Sequence, residues 1–447
     1  MHSRGSRSAW SAALALVLAT GGLAARARAD SYTIADLGSL GGAQGSAAYA
    51  LNGRGIAAGY SFIEGATLVH AMVSDRGTAL DLGTLGGTQS LARSVNVAGD
   101  IVGWAYPAGQ AIQHAFRWHA GTMTDLGSLG GGFGDAHAIN DAGLIVGSSN
   151  TADGEEHAFW WSGGVMHDMG TLGGTLSRAF GVNRWGDIVG QSFITGDDGF
   201  HPFLSKPGGQ MFDLGTLGGV AAQAADVNDL VHVCGWSELQ TNSPLSRGFF
   251  WSNGVIKSIG TLGGIYSAAF GMNNLDDVVG ASTRADETQV AILWSHDQLV
   301  DLNTLLPPGS GWLLTRAWDI DDRGVIVGEG IRPDGSARAF QLSPPGTLDA
   351  PPRVAGPLRF ASIRPNPVVS QARFDFALPT AGRATLAVYD AGGRRVRALA
   401  DGWLDAGPQS IAWDGLDDAG RRLAPGAYWA RLQAAGRSLV HAFALVR

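Results

Sequence analysis

From Tyr32 to Leu342 the chain alternates short apolar runs with turns of Gly, Asn and Asp. In one representative stretch the runs read Ala92–Val97, Asp100–Trp104, His114–Trp118 and Thr122–Leu126. Runs this short, closed by turn residues, predict β-strands and not helices.

The pattern is periodic. The phrase Asp-Leu-Gly-Thr-Leu-Gly-Gly, or a close variant, begins at Asp36, Asp81, Asp125, Asp168, Asp213, Ser258 and Asp301, at spacings of 45, 44, 43, 45, 45 and 43 residues. Between these phrases come turns centred on Asn52, Asn96, Asn140, Asn183, Asn228 and Asn273, with Asp321 in the seventh place. A Val-Gly-like strand end follows each turn, at Gly59, Gly103, Gly147, Gly190, Gly235, Gly280 and Gly328. Next comes a His-Ala-Phe-like strand, clearest at His114-Ala115-Phe116 and His157-Ala158-Phe159 and loosest at Val290-Ala291-Ile292.

Four strands in about 44 residues is the size of one propeller blade, and a solenoid of β-turns is the alternative. The run opens on a lone fourth-type strand, Tyr32–Leu37, and closes on three strands, Leu313–Leu342, without a fourth. The orphan fits the gap, so the expected fold is all-β, a seven-bladed β-propeller closed by its N-terminal strand. Four residues before each turn stand Ala48, Ala92, Ala136, Ala179, Ala224, Ala269 and Ala317; three before stand Tyr49, Arg93, His137, Phe180, Ala225, Phe270 and Trp318. Neighbours in a strand face opposite sides, so small residues receive larger ones from the adjoining blade.

These phrases resemble the HAF-type extracellular repeat family over about 310 residues. The resemblance implies an exported bacterial repeat protein and brings no catalytic residues with it.

Composition adds an address and a boundary. Residues 1–29 carry Arg4 and Arg7, an apolar stretch from Ala12 to Ala24, and Ala27-Arg28-Ala29, the features of a secretory signal peptide. No other stretch is long and apolar enough to span a membrane. Residues 30–342 hold 14 basic and 31 acidic residues; residues 358–447 hold 12 arginines and 7 aspartates. The break coincides with a proline-rich linker, 343–357. With a formal charge of −8, nucleic acid is not an expected partner, and the single Cys234 excludes a disulfide framework.

Residues 358–447 alternate in short strands that suggest an antiparallel sandwich. Pro365-Asn366-Pro367, Val388-Tyr389-Asp390, Trp413-Asp414-Gly415 and Gly426-Ala427-Tyr428-Trp429 resemble the Ig-like domain of the flagellar hook-cap protein FlgD and of type IX-like sorting domains. The resemblance implies a module for export, attachment or spacing.

Chemistry is sparse. The Gly-rich phrases lack the Gly-Lys-Ser/Thr of a phosphate loop, Glu155-Glu156-His157 lacks a second histidine, and no Gly-x-Ser-x-Gly elbow is present. His70, His114, His157 and His201 recur at equivalent positions, which suits packing or strand-edge hydrogen bonding better than one metal centre. The aspartates that open the Leu-Gly phrases suit capping of nearby backbone N–H groups. No cofactor is expected; Asp319, Asp321 and Asp322 are the candidates for calcium, at a spacing short of a full oxygen-ligand loop.

The loops between second and third strands carry Glu64, Asp153, Glu155, Glu156, Asp197, Asp198, Glu238, Asp286, Glu287, Glu329 and Asp334, against Arg284 and Arg332. Such an acidic rim suits cations or a basic partner. Tyr60, Trp104, Phe193 and Trp236 lie nearby as stacking candidates for sugars. The leading expectation is an exported, non-enzymatic binding or surface-structural protein with a cell-surface polysaccharide or protein as partner. The alternatives are a secreted polysaccharide hydrolase or lyase, with Asp226 or Asp319 at the propeller mouth, and an envelope protein without a ligand.

Overall fold

The computed structural model describes residues 32–345, apart from 66, 76 and 242–244, and residues 359–446, apart from 365, 379–381, 405–406 and 435–436. The expected signal peptide lies outside the described residues, as does most of the expected linker. The chain divides into two compact units, Met1–Leu348 and Asp349–Arg447. Among the described residues no helix is long and apolar enough to cross a membrane.

The first unit is all-β, made of small antiparallel sheets. Five have four strands; a further one of eight strands consists of two four-stranded groups joined at a single parallel bridge, Ser246↔Tyr266. The first sheet runs Gly41–Leu51, Ile56–Ile63, Val69–Asp75 and Thr78–Asp81, in that order across the sheet. The last takes Leu313–Ile320, Ile326–Ile331 and Ala337–Ser343, and its fourth strand is Thr33–Asp36, paired from Thr33↔Ser343 to Asp36↔Phe340.

The first strand of most repeats begins earlier than its apolar pattern indicates, at Gly86 instead of Ala92 in the second sheet. In those repeats the last two glycines of the Leu-Gly phrase are therefore strand residues, whereas Gly218 and Gly219 precede a strand that begins at Ala222. A Cβ at Gly87 would lie 2.4 Å from the Tyr106 carbonyl oxygen of the next strand, so glycine here permits a close backbone approach.

The apolar cores lie between consecutive sheets. Ala50, Ala58 and Ala71 pack with Ala92, Ile101 and Phe116 of the next repeat; Val102 and Ala115 pack with Ala136, Ile145 and Phe159. The last of these cores gathers Val325, Val327 and Ala339 with Leu37, Ala48, Leu51 and Met72, so the final sheet packs on the first. The seven alanines four residues before each turn are at most 1% exposed, and the phenylalanines of the His-Ala-Phe strands are fully buried. Each such phenylalanine contributes about 1.5–3 kcal/mol by burial.

Buried serines fasten the same joints. Ser90 Oγ accepts the Ala71 N–H at 2.8 Å and donates to Gly83 O at 2.5 Å; Ser177 and Ser267 repeat the arrangement. Ser46 repeats it between the last and first sheets, taking Ala339 N–H at 3.1 Å.

In the second unit, Arg359–Arg364, Ala372–Leu378 and Gly407–Trp413 form one sheet, and Arg395–Leu404, Gly382–Tyr389, Gly426–Ala434 and Arg437–Leu445 another. They share a core in which Phe374 and Trp413 meet Phe443 edge to face at 5.6 Å. Its polar tips are satisfied: Trp413 Nε1 donates to Leu416 O at 2.9 Å and Tyr428 Oη to Ala424 O at 2.7 Å.

Candidate functional site

Every first strand of the repeat unit carries an extra residue at the same place, shortly before its turn. The ladder slips between Ala48 and Ala50, Ala92 and Ser94, Ala136 and Ala138, Ala179 and Gly181, Ala224 and Asp226, Ala269 and Gly271, and Ala317 and Asp319. The skipped residues are Tyr49, Arg93, His137, Phe180, Ala225, Phe270 and Trp318, a bulge that frees each side chain from the alternation of its strand. The Val-Gly glycine makes this possible. A Cβ at Gly147 would stand 2.0 Å from Asp135 O and 2.9 Å from a Phe159 ring carbon, and at each of the other six a backbone carbonyl oxygen would stand 1.9–2.1 Å away.

All seven bulged residues line one channel of about 570 Å³, together with Phe133, Asp135, Ser148, Glu156, Arg178 and Gln223. One wall is aromatic. Trp318 stacks on Phe270 with centroids 4.4 Å apart and meets Tyr49 edge-on at 5.0 Å. The lining next to it, where Arg93 lies over the Tyr49 ring at 5.9 Å, is ionic: Arg93 Nη2 donates to Asp135 Oδ2 at 3.0 Å, and Arg178 grips both oxygens of Glu156 at 2.8 and 2.6 Å. His137, its side chain 12% exposed, packs edge-on against Phe180 at 4.8 Å. Burial brings its pKa down to about 4, with Asp135 opposing and Arg93 adding to the fall, so the imidazole is neutral at physiological pH. Burial likewise raises the Tyr49 hydroxyl well above its ordinary value.

Three buried polar atoms of this channel have no hydrogen-bond partner among the described residues: Asp135 Oδ1, Arg93 Nε and Trp318 Nε1. Asp135 is only 5% exposed, so leaving a carboxylate oxygen unmatched there is costly.

The acidic rim divides. Glu156 and Glu329 turn inward, Glu156 onto Arg178 and Glu329 onto Arg316 at 2.6 Å. Glu238 is half-buried with a shielded Oε2. Glu64, Asp153, Glu155, Asp197, Asp198, Asp286, Glu287 and Asp334 stay exposed at turn tips. Asp286 and Asp334 brace their own loops, accepting from Thr288 N and Ser336 N, while Asp197 ties its loop to the first strand of its repeat by accepting from Thr175 N. Tyr60 reaches the bulged Tyr49 at 5.6 Å, while Trp104 pairs with Tyr106, and Phe200 with both Phe193 and Trp236.

At the other end of the first strands, the turn asparagines form a belt. Asn52 Nδ2 donates to Asn96 O, Asn96 to Asn140 O, Asn140 to Asn183 O, Asn183 to Asn228 O, Asn228 to Asn273 O and Asn273 to Asp321 O, at 2.9–3.3 Å. Asp226 and Asp319 serve the same joints. Each accepts the N–H of its own following residue and one from the next repeat, Met272 and Leu51 respectively. Burial raises Asp226 to about 6 and Asp319 to about 7. The three calcium candidates go separate ways: Asp321 takes the N–H groups of Arg323 and Val325, and Asp322 those of Asn274. Among the described residues no group of three or more His, Cys, Asp or Glu is placed to hold a metal ion.

The recurring histidines and aspartates prove to be partners. His70, His114, His157 and His201 hold Asp81, Asp125, Asp168 and Asp213 through Nδ1 at 2.6–2.9 Å. Oδ1 of each aspartate caps the glycine N–H two residues on. Where Ser258 replaces the aspartate, Arg247 replaces the histidine and turns to backbone carbonyls. Asp301, with Val290 in the histidine place, takes Arg284 instead. Cys234 is a buried free thiol.

Residues 368–438 match the model of the FlgD Ig-like domain. No curated protein matches the chain. Among solved structures, PorZ, a surface component of the type-IX secretion system of Porphyromonas gingivalis, aligns at 13% identity over 89% of this chain, with a TM-score of 0.41. This chain covers 59% of the PorZ chain. TolB from Acinetobacter baumannii aligns at 10% identity over 62% of this chain and 60% of its own, with a TM-score of 0.38. A gluconolactonase from Xanthomonas campestris gives 13% identity, 62% of this chain, 90% of its own and a TM-score of 0.35.

Proposed function

We propose that this chain is an exported, non-enzymatic binding protein of the cell surface or of a secretion pathway. Its first unit is a closed seven-bladed propeller of HAF-type repeats, and its second an Ig-like module for sorting or attachment. The observation that carries this reading is where the repeats differ. Positions that build the sheets are nearly uniform: seven alanines, seven glycines, and asparagine at six of seven turns. The bulged positions carry Tyr, Arg, His, Phe, Ala, Phe and Trp, and all of them face one channel. Diversity concentrated on a cavity is the arrangement of a binding platform on a scaffold.

The exposed acidic turn tips lie at the end of the sheets where the first strands begin, since Gly130 pairs with Thr151 and Gly41 with Ile63 beside those loops. Their summed field adds steering toward a basic or cationic partner. The hydrolase reading loses its two named residues, because both Asp226 and Asp319 hold backbone N–H groups between repeats. Export is supported by the signal-like residues 1–29, and attachment by the FlgD Ig-like match.

The test is fractionation and surface-protease accessibility of the full chain beside a truncation ending at Pro351, in the native host. Surface exposure of the full chain with retention of the truncation in the periplasm is expected. A full chain that stays inside the cell overturns the reading.

A further inference from the structure

The chemistry of the channel narrows what it binds, taking the channel as the binding seat proposed above. Its charges cancel in pairs: Arg93 with Asp135, Arg178 with Glu156, and His137 neutral. An entering ion would have to break one of these pairs or sit unbalanced. Cations meet a further obstacle on the aromatic wall. Arg316 already lies over Trp318 at 6.0 Å and Arg93 over Tyr49 at 5.9 Å, so a cationic ligand would face like charge there.

A neutral ligand escapes both objections. One side of the channel offers the contiguous rings of Tyr49, Trp318 and Phe270. The polar side chains beside them are Arg93 and Asp135, whose Nε and Oδ1, like Trp318 Nε1, have no partner among the described residues and are shielded from solvent, so a hydroxyl reaches them as these side chains turn toward it. The Gln223 amide, also in the lining, supplies one group of each kind. A sugar ring matches this division, with an apolar C–H face to lay on aromatic rings and hydroxyls that both donate and accept. The cavity, about 570 Å³, falls among pockets that hold small molecules.

We propose that the channel binds a neutral saccharide, its ring against the Tyr49–Trp318–Phe270 wall and its hydroxyls on Asp135, Arg93 and Gln223. The fifth repeat leaves the space for it, since Ala225 stands where five of the other repeats place an aromatic ring or imidazole.

The test is calorimetric titration of the purified full chain with glucose, galactose, mannose and N-acetylglucosamine and their di- and tetrasaccharides, with galacturonate oligomers as the charged comparison. Three variants accompany it: Trp318→Ala, Gln223→Ala and Ala225→Phe. The last removes no lining group and fills the channel with a residue that the same bulge already holds at Phe180 and Phe270, so it tests occupancy even if Trp318→Ala fails to fold. Expected are saturable binding of at least one neutral saccharide, about tenfold or greater weakening in Trp318→Ala and Gln223→Ala, and loss of binding in Ala225→Phe. No binding up to about 10 mM, binding of the charged oligomers alone, or unchanged binding in Ala225→Phe would each overturn the proposal. Because binding is read on purified protein, its failure leaves the surface-location reading standing, and failure of export leaves this one standing.

Discussion

Asp319 accepts the backbone N–H of Leu51 through Oδ2 at 2.8 Å, joining residues 268 positions apart in the chain. It does so where the asparagine belt stops: the seventh turn has Asp321, whose side chain has no amide to donate. The seam between last and first repeats is therefore held by Asp319, by Ser46 on Ala339, and by the strand Thr33–Asp36.

Removing the seam bond should weaken the first unit. Asp319→Ala leaves the Leu51 and Ile320 N–H groups unmatched and is expected to cost about 1–3 kcal/mol in denaturant unfolding. Asn96→Ala, which breaks one link of the belt and the local cap on Asp100 N, should cost a similar amount.

Stability should respond to pH from two directions. Asp226 and Asp319 release their protons near 3.8 when unfolded but hold them to about 6 and about 7 when folded. Their stabilising share is complete below the unfolded value and is lost as pH rises through the folded ones. His137 runs the other way, from 6.5 unfolded to about 4 folded, so its share is complete above 6.5 and lost as pH falls toward 4. Urea midpoints across this range should show Asp319→Asn flattening the loss toward higher pH and His137→Phe flattening the loss toward lower pH.

The glycine opposite each bulge should not tolerate a methyl group. Gly147→Ala places a Cβ 2.0 Å from Asp135 O and is expected to cost about 3 kcal/mol. Gly53→Ala, with nothing within 4 Å, should stay within about 0.5 kcal/mol of the parent. Equal effects in a denaturant titration would contradict the bulge.

The outer-edge pairs should contribute unequally by partner. Asp125 is 40% exposed at its side chain, so its coupling to His114 in a double-mutant cycle should fall below about 1 kcal/mol. Asp125→Ala should nonetheless cost more than His114→Ala, because Asp125 also caps the Gly127 N–H at 2.8 Å.

Much of this fold is legible in the residues. The recurring phrases mark the strands and their order, and the orphan strand at Tyr32–Leu37 points to its partner beside Ala337–Ser343. The site is less so. Simple alternation places Tyr49 opposite Ala48 either way, and nothing in the sequence separates a regular strand from one with an extra residue. Only the ladder shows that Ala48 and Ala50 are consecutive pairing residues, and that Tyr49 is thereby directed to the channel. The pairing of His114 with Asp125 is hidden for a different reason. The two lie 11 residues apart, and they meet only once the third and fourth strands are aligned, with Phe116 opposite Asp125. The glycines of the Leu-Gly phrase read as turn residues because their role, close approach of a neighbouring strand, is a tertiary one.

The proposed seven-bladed propeller needs a closed ring, and the pairing of Thr33–Asp36 with the last sheet is the contact that would complete it. Hydrogen–deuterium exchange of the full chain, read on peptides covering residues 32–37 and 337–343, tests this most directly. Both peptides are expected to be protected, and a variant beginning at Gly38 should lose protection at 337–343. Exchange of residues 32–37 at the rate of free chain in the intact protein would contradict closure, and with it the proposed propeller.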